Sequence, residues 1–273
     1  MKFVQYILLS FCILFIQQNI YAENNFRLPE KIFSTQNQQY ISLDELLSQL
    51  KSADIVLIGE QHNQNTHHLA EEQLLKKSED IRKNGSVILE MINADQQSAI
   101  SEVQQWLNNG GKTGVRNLEN KINWQHSWNW QDYGNIVHYL LKNQAVVLAG
   151  LPNKQQIANA QNFIPQGKKS SADEVRAALL EMMMQHIQHG NPQLFVNQQQ
   201  FKDNYMAQQL LNAPKPAYLI AGAVHTAKNI GVPLFLQDAD YQGKVLVIIL
   251  TADNGETLHS DLADIVWYLP KNE

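Results

Sequence analysis

Four ionisable side chains stand at the ends of apolar runs, placed where they could do chemistry together. Glu60 and His62 close the run DIVLIGEQH, Glu90 closes SVILEM, and His225 follows AYLIAGAV. Glu60 and His62 are two residues apart, so on an extended backbone both point the same way. Two imidazoles and two carboxylates make a donor set suited to a divalent ion such as zinc, manganese or iron. A metal held there would polarise a carbonyl and activate water, with one Glu as general base, which is the chemistry of a hydrolase or peptidase. The competing reading is that these groups bond loop backbone and one another, as buried polar side chains usually do. His67 and His68 open the helix that follows and would support the first four from behind.

A second constellation lies further along the chain: Met182, Met183, Met184, His186 and His189, then Lys202, Tyr205 and Met206. His186 and His189 are three apart, as are Lys202 and Tyr205, so each pair shares a helix face. Haem iron accepts His, Met or Tyr as axial ligand, needs apolar walls, and gains from Lys or His near its propionates. A methionine-rich helix serves equally well as core or as an adaptable contact surface, and function would then lie in protein contacts through these helices. Trp124, Trp128 and Trp130 in NWQHSWNWQDY are expected to pack rather than to touch a ligand.

These groups need elements to position them. The sequence alternates β-branched runs with helical stretches. DIVLIGE (54–60) precedes a helix from 66, SVILEM (86–91) precedes NADQQSAISEVQQWL, and AVVLAG (145–150) follows YGNIVHYLLKN. Such alternation predicts an α/β fold, a mostly parallel sheet flanked by helices. AYLIAGA (217–223), KVLVIIL (244–250) and DIVWYL (264–269) read as further strands, and SLDELLSQL (42–50) as a helix capped by Ser42. Between 153 and 213 no strand run occurs, which predicts a helical insert subdomain between two halves of the α/β domain, 23–152 and 214–273. Ligands of open parallel sheets bind beyond the carboxyl ends of the strands, where the four ionisable groups stand.

Composition narrows the chemistry. The chain has 273 residues, is 44% hydrophobic and 17% charged, and carries a formal charge of −5 without a basic stripe, so nucleic acid is not an expected partner. Residues 1–22 read as a secretory signal peptide, with Lys2, an apolar run from Phe3 to Ile16, and Ala22 before a polar stretch. The run is short of the roughly 20 residues of a spanning helix. Cys12, the only cysteine, lies inside it behind the bulky Phe11, which argues against lipidation and membrane association. A mature chain from Glu23 would hold no thiol, excluding cysteine nucleophiles, thiolate metal sites and disulfides.

IVLIGEQHNQNTHH, VILEM, GLPN, FKDNYMAQQL and IAGAVHTAKNIGVP, in that order, resemble the ChaN family of bacterial haem-binding proteins associated with iron uptake. The resemblance covers about Ser42 to Pro233. It implies an α/β domain with a helical insert, haem in a groove formed partly by that insert, and a homodimer closing around the haem. Tyr205 is then the leading axial ligand, with His186, His189, Lys202 and Met183 as further contacts. The expected location is periplasmic, with outer-membrane association the alternative that the family's lipoproteins raise. The paired Gly-x-x-His turns at Gly59–His62 and Gly222–His225 also resemble the wider Tiki and TraB group, whose Tiki members are metal-dependent proteases. That likeness points to Glu60, His62, Glu90 and His225 as metal or catalytic groups.

Overall fold

A computed structural model describes residues 28–29, 31–186, 190–252 and 260–271, with 185 and 186 placed as backbone only. The expected signal peptide, Cys12 and His189 lie outside the described residues. Among the described residues, no helix is long and apolar enough to cross a membrane.

The core of the molecule is an eight-stranded sheet. In chain order its strands are β1 (Ile32–Ser34), β2 (Gln39–Ile41), β3 (Ile55–Glu60), β4 (Ser86–Asn93), β5 (Val146–Leu151), β6 (Ala217–Gly222), β7 (Val245–Ala252) and β8 (Ile265–Leu269). Across the sheet they run β2-β1-β8-β7-β3-β6-β4-β5. The strands from β8 to β5 are mutually parallel, while the β1–β2 hairpin joins β8 antiparallel. That hairpin was not legible in its short polar sequence. The parallel strands are buried on both faces and read as continuous β-branched runs for that reason.

Two apolar layers cover the sheet. On one side Leu46, Leu74, Ile100, Ile136 and Leu140 pack onto Val56, Ile58, Leu89 and Ile220. They come from α1 (Leu43–Ser52), α2 (Asn65–Ile81), α3 (Gln97–Asn108) and α5 (Trp130–Leu141), with the short α4 (Val115–Lys121) between the last two. Ser42 caps α1 in a capping box with Glu45, as its spacing implied.

The other face takes Met206, Ala207 and Leu210 of α8 (Pro192–Asn212) and Val232 and Phe235 of α10 (Val232–Asp238). The segment between β5 and β6 holds α6 (Lys154–Asn159), α7 (Asp173–His186) and α8. The carboxyl-terminal half of α8 thus belongs to the main core, whereas α7 and the start of α8 form a hairpin around Val175, Leu179 and Val196. The short α9 (Ala223–Thr226) follows β6 directly.

Candidate functional site

The chain crosses the sheet so that β3, β6 and β4 lie side by side, and these are the strands whose ends carry Glu60, His225 and Glu90. β6 returns between two strands made earlier, which opens the crevice where the loops diverge. All four sequence candidates meet there. His62 Nδ1 lies 2.7 Å from Glu60 Oε1, and His225 Nε2 lies 3.2 Å from Glu90 Oε1. Glu90 Oε2 accepts the Gly222 N–H at 2.7 Å and stands 3.8 Å from His62 Nε2.

The two glycines of the Gly-x-x-His turns admit each other's motif. A Cβ on Gly222 would lie 2.9 Å from His62 Nε2, and one on Gly59 would lie 2.2 Å from Thr226 Oγ1 and 3.0 Å from the Ala223 backbone. Each turn therefore needs glycine so that a side chain of the other can seat against it. Neither position has an unusual φ, so steric space rather than backbone freedom is the reason.

Behind these four stand Tyr133, Asp203, Gln199 and Glu71, to which the sequence reading gave no role, together with the expected His67 and His68. Tyr133 of α5 donates its hydroxyl to Glu60 Oε1 at 2.6 Å. Asp203 of α8 pairs with His225 Nδ1 at 2.5 Å, and the Gln199 amide lies 2.9 Å from the same nitrogen. His68 Nε2 approaches Glu60 Oε2 to 3.1 Å but out of hydrogen-bond alignment, and neither oxygen of the fully buried Glu71 has a hydrogen-bond partner. His67 accepts the Gln61 N–H at Nδ1. Helical spacing was the available signal: Glu71 follows His67 and His68 by four and three residues, and Asp203 follows Gln199 by four.

Burial and pairing pull these groups apart in charge. Burial lowers His225, but Glu90 and Asp203 outweigh it and raise it to about 10. Burial raises Glu90, but His225, His62 and the Gly222 N–H bring it down to about 2. Glu60 is likewise held below the ordinary carboxylate value by the imidazoles of His62 and His68 against the cost of burial. Burial, then the Glu60 charge, push Glu71 well above the ordinary carboxylate value. His67 falls to about 4 through burial and is neutral. The result is two carboxylate–imidazole pairs face to face. Among the described residues no group of three or more His, Cys, Asp or Glu side chains is arranged to hold a metal ion. The expected donors are assembled, but Glu60 and Glu90 are turned onto the imidazoles.

The insert divides the other constellation. Arg176 of α7 bonds Asn197 at 2.8 Å and also bonds Gln200 of α8, which fixes the hairpin register. His186 ends α7 at the hairpin tip with the half-buried Met183 nearby, whereas Tyr205 lies more than three turns along α8 from Pro192, roughly 20 Å away. One chain therefore does not bring Tyr205 together with His186. Tyr205 is half-buried with its phenol raised by burial, and the half-buried Lys202 stands one turn before it. Met182 and Met183 pack against Val175, Leu179 and Val196, while Met184 and Phe195 remain exposed. The donor chemistry fits haem: a phenol for ferric iron, a lysine for a propionate, and apolar surface for the macrocycle.

A family model described as haem-binding uptake, Tiki superfamily, ChaN, matches residues 46–236. The chain belongs to this ChaN haem-binding uptake family. Among solved structures it resembles ChaN of Campylobacter jejuni, a structure of cofacial haem binding. The TM-score is 0.78 at 26% identity, over 86% of this chain and 94% of that one. A looser likeness, with TM-score 0.48 and 14% identity, links 84% of this chain to 93% of the type III effector HopBA1. Another, with TM-score 0.49 and 15% identity, links 81% of it to 77% of the erythromycin esterase mutant EreC H289N in its open conformation. No curated protein matches the sequence.

Proposed function

We propose that this chain is an exported, periplasmic haem-binding protein of iron uptake that takes haem in a groove formed partly by α7 and α8. The observation that carries the reading is that the family match, over residues 46–236, spans the insert with both helices and Tyr205. Tyr205 would ligate the iron and Lys202 would meet a propionate. Because His186 and Met183 lie at the other end of the hairpin, they reach the same ligand only from a second copy. The proposal therefore includes a homodimer closed by haem, in keeping with the cofacial haem described for the Campylobacter protein.

An absorbance titration of residues 23–273 with haemin, followed by size exclusion with and without ligand, tests this reading. The expected result is a saturable Soret shift at a defined ratio, with dimer forming on binding. The absence of a saturable shift would overturn it.

A further inference from the structure

The geometry points to a binding site for an aromatic amino acid in the groove where α4 meets the start of α5, with the ligand's ring on Trp128 and its two backbone charges on Arg116 and Glu119. The inference stands apart from haem binding, since no groove residue belongs to the α7–α8 hairpin, and it assigns no reaction.

The groove has a volume of about 590 Å³, and Val115, Arg116, Glu119, His126, Trp128 and Trp130 are among the residues that line it. That is the size and the aromatic lining of a small-molecule site. Its aromatic walls are fixed. Trp130 Nε1 donates to Val115 O at 3.2 Å, tying α5 to α4, and Trp124 Nε1 donates to Trp128 O at 2.9 Å, tying down the loop between the helices. The Trp128 ring is held edge-on against His62, with 4.8 Å between centroids, and against Tyr133 at 6.0 Å. Gly134 lies inside α5, where glycine weakens a helix relative to alanine. A Cβ there would lie 2.8 Å from Trp130 Cε2 and 2.9 Å from Val115 Cγ1, so the glycine lets both walls seat.

Within this frame three groups are left for a ligand. Trp124 and Trp130 give their indole N–H groups to backbone carbonyls, whereas that of the half-buried Trp128 bonds nothing among the described residues. Arg116 and Glu119 are three apart on α4 and so share a helix face. Their side chains form no ion pair or hydrogen bond, with each other or with any other described residue. A guanidinium and a carboxylate that stay apart on one face match a zwitterion. The α-carboxylate takes the planar fork of Arg116 and the ammonium takes Glu119, as charge-assisted hydrogen bonds. A ligand with a single charge would leave one of the two unanswered. The aromatic side chain then lies against the Trp128 indole.

Calorimetric titration of the purified, haem-free chain with L-tryptophan, N-acetyl-L-tryptophan and L-tryptophanamide tests the proposal. L-Tryptophan is expected to bind saturably at one site per chain, and each blocked analogue about tenfold or more weaker, the scale of one lost hydrogen bond to a charged group. Arg116→Gln should bind L-tryptophan no better than the amide, and Glu119→Gln no better than the N-acetyl form. Arg116 is exposed and Glu119 partly so, which keeps these variants folded. Trp128→Leu should weaken all three ligands, while haemin titration of Arg116→Gln superimposes on that of the original. No saturable heat with L-tryptophan, a blocked analogue that binds as tightly, or Arg116→Gln and Glu119→Gln proteins that discriminate as the original does would each overturn the proposal.

Discussion

The crevice and the α7–α8 hairpin spend their polar residues in opposite ways. In the crevice, Glu60, Glu90 and His225 are buried and tied to partners on β3, β6, β4, α5 and α8, so each side chain has one position. In the hairpin, Tyr205, Lys202, Met183 and Met184 are half-buried or exposed. The first arrangement is preorganised by the fold and expensive to alter, because removing one partner strands a buried charge. The second leaves donors and apolar surface to be completed by a ligand. Only the crevice should therefore couple function to stability.

The sharpest way to break this contrast is to remove one charge of the buried pair. Glu90→Gln leaves the buried His225 with Asp203 as its remaining carboxylate partner and is expected to cost about 3 kcal/mol in urea unfolding, the low end for a broken buried pair, while Lys202→Ala stays within about 0.5 kcal/mol. The Glu90→Gln cost should also depend on pH. Glu90, lowered to about 2, contributes stability above pH 4.5 that is lost as pH falls toward 2. His225, raised to about 10, contributes stability below pH 6.5 that is lost as pH rises toward 10. The difference between the two proteins is thus expected to peak between pH 4.5 and 6.5, and denaturant titrations across pH would show it.

Next in size are the reciprocal glycines. Gly59→Ala pushes a methyl into Thr226 and the Ala223 backbone, and about 1–3 kcal/mol is expected from such overpacking. Gly222→Ala meets only the edge of the half-exposed His62 ring, which can swing away, so thermal unfolding should show a smaller loss. On the hairpin side, Tyr205→Phe is expected to weaken haem binding about tenfold, equivalent to about 1.4 kcal/mol, with the unfolding midpoint unchanged. His186→Ala should weaken binding less and reduce haem-dependent dimerisation, as read by size exclusion.

The strands of the parallel sheet and the four crevice residues were legible because buried parallel strands are continuous apolar runs, and a charged residue at such a run's end stands out. Their partners were not, because Tyr133, Glu71, Gln199 and Asp203 sit inside helices, where a polar residue looks like a solvated face until the packing is known. The metal reading took residue types as a donor set, whereas the orientation of Glu60 and Glu90 onto imidazoles is set by tertiary contacts from α5, α8 and Gly222. The α7–α8 ingredients were visible as composition. Their separation along the hairpin follows from its register, which Arg176 fixes with Asn197 and Gln200.

The most direct test of the central claim, haem carriage by the hairpin independent of the crevice, is haemin titration of three proteins side by side: unaltered, Tyr205→Phe and His62→Gln. A saturable Soret shift is expected in the unaltered protein, the same shift with His62→Gln, and a weakened and altered one with Tyr205→Phe. A Tyr205→Phe titration superimposable on the original, or binding lost with His62→Gln, would contradict it.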